Sequence, residues 1–261
     1  MLIKQRLTAS FLGLTIMANA ESTLLDDFLP VDENFSLTYG PEMPAGSIVG
    51  VTAGDMVGGE RDLEIVQTTS REPLVGASFY MRYEPHRFYS NQKFFYLGGD
   101  GPGENYPGED AMIRIQYDGT GDEQGNTGLG KRLRNGGGGQ ALFNGADGGI
   151  RIWGSEPNGG ENMQTTVTLR LAGSTLASFT RNVGRSDLFI AYEFPFAPEV
   201  FGEADSLTIE FRTFARGGSR SGFHISRIET IVPEGESGIA LAAGVSALAL
   251  AALRKRKVVN E

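Results

Sequence analysis

The chain of 261 residues has no cysteine, two histidines and one tryptophan. Without thiols there is no disulfide, no cysteine nucleophile, no zinc–thiolate site and no iron–sulfur cluster, so stability must come from burial. His86 and His224 have no His-x-x-x-His metal spacing, and no Gly-x-Ser-x-Gly elbow supplies a nucleophile. Cations are in the minority, 23 Lys and Arg against 32 Asp and Glu for a net charge of −9, and before the last few residues they form no stripe. Nucleic acid, whose phosphates demand clustered Lys and Arg, is therefore not an expected partner. Stretches with a helical period of 3.6 are almost missing too, apart from the two ends.

What the chain has in excess is glycine, 37 residues, about twice the usual share of roughly 7%. Runs such as Gly98-Gly99-Asp100-Gly101 and Gly136 to Gly139 supply positive φ where the chain reverses. Between them apolar residues alternate with polar ones at a period of two, the mark of strands with one packed face. Four rows are clearest: Met163, Thr165, Val167, Leu169 and Leu171; Leu207, Ile209 and Phe211; Leu188, Ile190, Tyr192 and Phe194; and Val75, Ala77, Phe79, Met81 and Tyr83. Further strands are expected over Ile48 to Thr52, Leu63 to Thr68, Lys93 to Leu97, Met112 to Tyr117, Ile150 to Trp153, Thr175 to Thr180 and Phe223 to Ile231. Many short strands with turn signals between them and no internal repeat predict an all-β fold, a single β-sandwich or jelly roll over residues 21–231.

The ends read as delivery segments. Lys4 and Arg6 precede the apolar stretch Phe11 to Met17 and the small-x-small triplet Ala18-Asn19-Ala20, the grammar of a signal peptide over residues 1–20 cleaved after Ala20. At the other end Val232-Pro233-Glu234 is followed by an apolar run from Gly238 to Leu253 and by Arg254-Lys255-Arg256-Lys257. At about 1.5 Å per residue this run is about 24 Å long as a helix, short of the roughly 30 Å membrane core. The four cations stop it at the cytoplasmic surface. The two ends hold six of the 23 basic residues and three of the 32 acidic ones, so the delivered part is more acidic than the whole.

Signal peptide, exported domain, Pro-Glu step, short membrane helix and basic cluster, in that order, resemble the PEP-CTERM proteins of bacteria. The resemblance covers residues 232–257 and implies sorting by an exosortase-type membrane enzyme to the envelope or extracellular matrix, where exopolysaccharide is a partner. This chain has Pro233-Glu234-Gly235 where that family usually has Pro-Glu-Pro; a plain single-pass anchor is the alternative. A second resemblance lies in the domain itself. Leu24-Leu25-Asp26-Asp27-Phe28 is similar to the first strand of carbohydrate-binding jelly rolls, and Asp205 to Phe211 with Phe223 to Ile228 is similar to their last strands.

Three groups of residues are site candidates. Eight aromatic residues fall between Phe79 and Tyr96; alternation assigns Phe79, Phe94 and Tyr96 to the core and puts Tyr80, Tyr89 and the lone Trp153 on the wet side, where flat rings suit a sugar. Acidic glycine loops, Asp100 to Glu104 and Asp118 to Glu123, could offer oxygen ligands to a structural Ca²⁺ through Asp118 and Asp122, with Asp26 and Asp27 as a separate pair. Counted as a twelve-residue calcium loop from Asp118, however, the chain has Glu123 at the glycine position and Leu129 at the bidentate one, and the same loops read simply as solvated turns. Gly58-Gly59-Glu60-Arg61-Asp62 reads as a turn whose charges protect a sheet edge, or as a hydrogen-bonded network able to hold a polar ligand through the Arg fork. The expectation is an exported, non-catalytic β-sandwich that binds carbohydrate or calcium. Two alternatives stand beside it: a glycoside hydrolase or lyase on the same fold, and an acidic matrix spacer with no specific ligand.

Overall fold

Alternation becomes pairing in the computed structural model, which describes residues 22–28, 35–40, 46–67, 78–86, 89–100, 109–120, 128–129, 131, 141–143, 148–156, 163–183, 186–215 and 220–231. The strands are β1 (Leu24–Asp26), β2 (Ser36–Tyr39), β3 (Ser47–Ala53), β4 (Glu60–Gln67), β5 (Ser78–His86), β6 (Tyr89–Asp100) and β7 (Glu109–Tyr117). They continue as β8 (Gly128–Leu129), β9 (Gly149–Glu156), β10 (Met163–Leu171), β11 (Ser174–Val183), β12 (Ser186–Pro195), β13 (Ser206–Ala215) and β14 (Arg220–Thr230). One short helix, α1 (Pro198–Glu203), starts on a proline, whose missing N–H costs nothing in the first turn. Val57–Gly59 form a 3-10 turn.

The strands make two antiparallel sheets within the unit Ser22–Pro233. The first runs β12-β9-β14-β6-β5-β2, and β1 pairs with the end of β14 that β6 leaves uncovered. The second runs β11-β10-β13-β7-β4-β3-β8. Their inner faces bury one apolar cluster, with Phe79, Met81, Phe95, Leu97 and Phe223 from the first sheet and Leu63, Ile65, Ile113, Ile209 and Phe211 from the second. The architecture is that of a β-sandwich, as the period-two rows required. Every strand expected above is there where the residues are described; Val75 and Ala77 lie outside the described residues, as do residues 1–21 and 232–261 with both delivery segments. Among the described residues no helix is long and apolar enough to cross a membrane.

Five expectations need correction. Phe94 and Tyr96, assigned to the core, lie on the outward side of the first sheet, and Phe95 and Leu97 enter the core instead. Gly98 and Gly99 mark no reversal but lie within β6, and neither is among the glycines with positive φ. Leu188 and Ile190 are 58% and 42% exposed although Tyr192 and Phe194 on the same row are buried. The register of β12 against β9 slips between Ser186 and Ile190, so this end of an edge strand is not held down on the core. The second sheet's outward side is not simply wet: Thr168, Ser206 and Thr208 are buried there, and Arg114 bridges Glu64 and Glu210 at 2.6 and 2.7 Å on neighbouring strands. The charged triplet protects no edge either, because β4 lies between β7 and β3 and residue 61 shares the inward side with Leu63 and Ile65.

Arg61 is in fact the largest fully buried side chain among the described residues, 1% exposed. Its Nη1 donates to Asp26 Oδ2 at 2.8 Å, its Nε donates to Thr52 Oγ1 at 3.1 Å, and its guanidinium lies 4.5 Å from the centre of the Phe28 ring and 5.0 Å from that of Phe95. Asp26 also accepts from the Tyr117 hydroxyl and from the Phe28 amide, each at 2.7 Å. Holding that amide puts Phe28 at φ 50°, a strained value for a non-glycine residue. The cluster fastens β1 to both sheets at once. Burial pushes the Asp26 carboxyl up, and Arg61, Tyr117 and the Phe28 amide pull it back without cancelling the rise.

Candidate ligand-binding face

On the outward side of the first sheet, register turns polar and aromatic residues into ranks that cross the strands. Glu193, Arg151 and Glu229 stand abreast on β12, β9 and β14. The next rank is Ala191, Trp153 and Arg227 on the same strands. Beyond it come Ser155, His224, Tyr96, Arg82 and Ser36 across β9, β14, β6, β5 and β2.

The first two ranks are wired together. Arg151 donates through Nε and Nη2 to Glu193 Oε1 at 3.0 and 2.7 Å and through Nη1 to Glu229 Oε1 at 3.0 Å. Glu229 Oε1 also accepts from the Trp153 indole N–H at 2.9 Å, which fixes the plane of the ring. Arg227 covers one side of that ring at 4.6 Å from its centre, while its Nε is 3.4 Å from Glu229 Oε2. On the other side the register neighbour is Ala191, a methyl that covers little of an indole. Burial pushes the Glu229 carboxyl up, but the hydrogen bonds from Trp153 and Arg151 and the nearby charge of Arg227 outweigh it, holding the group below its ordinary value. The hydrogen bonds to Glu193 and Glu229 raise Arg151 in turn.

The aromatic residues divide into a sealed group and an open one. Tyr96 lies flat over Gly98 and Gly222, where any Cβ would come within 2.5 and 2.0 Å of its ring and hydroxyl. Tyr80 packs against it at 5.6 Å and His224 at 4.6 Å, and Arg82 lies 4.1 Å over Tyr80. Tyr80 is thus on the predicted side of the sheet but 2% exposed, because glycine cross-strand neighbours let Tyr96 lie down beside it. Tyr89, by contrast, is 37% exposed and meets Phe94 and Phe189 at 6.0 and 5.8 Å. Phe94 and Phe189 are 4.6 Å apart although β14 and β9 lie between their strands. Three strand spacings of about 4.8 Å set the two backbones about 14 Å apart, and the two side chains reach toward one another above the intervening strands. This face therefore carries an exposed Tyr89, a half-buried Trp153 and a charged rank beside the indole.

Sequence reasoning put Tyr80, Tyr89 and Trp153 on one side of a sheet and all three are there; it missed Arg151, Phe189, Glu193, Arg227 and Glu229. Their alternation with Ile150, Ile152, Tyr192, Phe194 and Ile228 was visible, but the register that ranks them was not. Of the calcium candidates, Asp26 is the counter-ion of Arg61 rather than a cation ligand. Asp27 lines, with Asp55, Leu24, Met56, Val57 and Phe143, a cleft of about 330 Å³ beside β1. Asp118 is buried on the second sheet's outward side, where it accepts from Gln116 Nε2 at 2.5 Å, and Asp122 lies outside the described residues. Among the described residues no group of three or more His, Asp or Glu side chains could hold a metal ion. Ala18, Ala20, Val232, Pro233, Glu234 and the Arg254–Lys257 cluster also lie outside the described residues.

No family model and no curated protein matches the chain. Among solved structures it is similar to a family 11 carbohydrate-binding module from Clostridium thermocellum in complex with a β-1,3-1,4-mixed-linked tetrasaccharide, at 10% identity over 80% of this chain and 95% of that one, with a TM-score of 0.35. It is also similar to TmCBM61 in complex with β-1,4-galactotriose, at 6% identity over 71% of this chain and 88% of that one, TM-score 0.29. A third similarity is to the glycoside hydrolase domain of Endo-D from Streptococcus pneumoniae R6, at 11% identity over 66% of this chain and 22% of that one, TM-score 0.33. These are likenesses of shape at very low identity, and the functional reading rests on the chain's own side chains.

Proposed function

We propose that this is an exported, non-catalytic β-sandwich that binds carbohydrate on the outward side of its first sheet. The observation that carries the reading is Trp153, an indole locked upright by its hydrogen bond to Glu229, backed by Arg227 and bordered by the small Ala191. A pyranose offers an apolar ring face and a rim of hydroxyls; an oriented aromatic surface with charged hydrogen-bonding groups beside it answers both. Phe189 and Tyr89 extend the aromatic surface toward the β12 edge. On this face the carboxyl beside the indole favours binding over hydrolysis. A general acid needs a carboxyl raised toward neutrality, whereas Glu229 is held below its ordinary value by its donors.

Delivery belongs to the same proposal: the first twenty residues export the chain, and the tail from Val232 hands it to an exosortase-type enzyme that leaves it in an exopolysaccharide matrix or on the outer surface. A glycan array probed with the secreted domain tests the binding reading; capture of a saccharide family supports it and silence across the array overturns it. Intact-mass analysis tests the delivery: loss of residues 1–20 and of the stretch containing Gly238 to Lys257 is expected, and retention of that stretch refutes tail removal.

A further inference from the structure

The saccharide that fits this face carries a carboxylate, and we infer that Arg227 reads it; the inference rests on the glycan-binding reading of the same face. Hydrogen-bonding capacity on the charged rank is unevenly spent. Glu193 Oε1 and Glu229 Oε1 both accept from Arg151, and Glu229 Oε1 takes the indole N–H as well. Arg151 is thereby occupied on three of its nitrogens. Arg227 differs: its guanidinium rests on Trp153 at 4.6 Å, its Nε approaches Glu229 Oε2 at 3.4 Å, longer than an ordinary N–H···O bond, and its side chain is 46% exposed. Neither terminal nitrogen of Arg227 donates to an acceptor on the protein among the described residues.

A guanidinium laid flat on an indole keeps its orientation while its forked N–H edge stays outward, and two parallel donors match the two oxygens of a carboxylate. Hydroxyls of a neutral sugar want acceptors as well as donors, and both Oε1 acceptors of this rank already serve Arg151, so the donors of Arg227 are the larger unspent capacity beside the indole. The charge of Glu229 is drawn toward Arg151 and the indole N–H, so it only partly offsets Arg227. Long-range attraction cannot mimic the effect. The chain's net charge is −9, so any preference for an acidic over a neutral oligosaccharide is local to the site. The geometry therefore suits a uronic acid with its carboxylate on the Arg227 fork and its ring against the exposed part of the Trp153 surface.

Short oligomers of galacturonate, glucuronate and mannuronate, each beside its methyl ester, test this by calorimetry. Ring, linkage and length are shared within each pair, and charge is removed. For at least one pair the acid is expected to bind about tenfold or more tightly than the ester, the scale of one or two charge-assisted hydrogen bonds. Arg227→Met, which keeps a stem over the indole, is expected to bring the affinities for acid and ester to within about twofold of one another, whatever it does to both, while Arg227→Lys, a charge without the fork, keeps only part of the preference. Thermal melts show that both variants are folded. Esters that bind as tightly as the acids, or a preference that survives in Arg227→Met, overturn this inference and leave the glycan reading standing. If no probe of either kind binds and the glycan array is silent as well, the glycan reading fails and takes this inference with it.

Discussion

Replacing Arg61 by methionine strands a carboxylate inside the sandwich. Asp26 keeps its hydrogen bonds from Tyr117 and the Phe28 amide but loses the cation 2.8 Å away, and it is 2% exposed, so water cannot take the place of the guanidinium. Removing one partner of a buried ion pair costs about 3–5 kcal/mol. In a domain of this size each kcal/mol lowers Tm by about 2–4 °C, so a fall of about 6–20 °C is expected. Asp26→Asn should cost a similar amount by leaving Arg61 charged between Phe28 and Phe95 without a counter-ion. The double replacement is expected to cost clearly less than the two singles added, because it leaves no unpaired charge. Urea denaturation of the four proteins measures the coupling. Acidity adds a signed check. Loss of Arg61 removes a pull that lowers the Asp26 carboxyl, so its folded-state pKa rises further above the ordinary 3.8. A carboxyl raised in the folded state is least harmful when protonated, so the deficit of Arg61→Met should shrink as pH falls through that raised pKa toward 3.8. Additive single effects, or an Arg61→Met cost below about 1 kcal/mol, would refute the view that the pair clamps β1 to the core.

Glu229→Gln acts in the opposite sense on pH: the wild-type carboxyl is lowered, so its contribution is full above the ordinary 4.5 and fades as pH falls through the folded-state pKa. Denaturation curves of the two proteins should therefore differ at neutral pH and converge in acid. Ala172 sits at φ 47° beside Gly173 at φ 81°, the two left-handed positions of a tight turn between β10 and β11. Ala172→Asn should raise stability by about 1 kcal/mol, read as a higher urea midpoint at unchanged m-value. Gly222→Ala would put a Cβ 2.0 Å from the Tyr96 hydroxyl and 2.7 Å from the Leu97 carbonyl oxygen, so a loss of about 1–3 kcal/mol is expected, together with altered near-ultraviolet dichroism as Tyr96 moves off His224.

The architecture was legible because burial imposes a period of two, and that period survives in residues such as Val167, Leu169, Leu207 and Ile209 whatever the partner strands are. The four-residue β2 and two-residue β8 are too short to show a period, and the six-residue α1 has fewer than two turns of helix. Parity told which side Phe79, Tyr80 and Trp153 face, but along the aromatic run of β6 it picked Phe94 and Tyr96 for the core where Phe95 and Leu97 go in; nor did it tell what lies on each side. Tyr80 and Trp153 both face outward from the first sheet, yet one is sealed by Tyr96 and the other stands in a half-open rank, a difference made by Gly98, Gly222 and Ala191 on neighbouring strands. Arg61 shows the converse. It shares its parity with Leu63 and Ile65 and so faces the core, but nothing nearby in the chain marks a counter-ion for it: its partner Asp26 is thirty-five positions away and only folding brings them together. The rank of Glu193, Arg151 and Glu229 likewise depends on a strand order, β12-β9-β14, that does not follow the chain.

The chain's one tryptophan is also its reporter, so the emission of Trp153 during titration with a saccharide identified on the array tests the central claim directly. The expected result is a saturable change in intensity or wavelength for the wild type, with binding by calorimetry weakened about thirtyfold or more in a folded Trp153→Ala variant, the loss of a central aromatic anchor. Unchanged emission at saturating ligand together with full affinity in Trp153→Ala would place the saccharide elsewhere on the molecule and contradict the account.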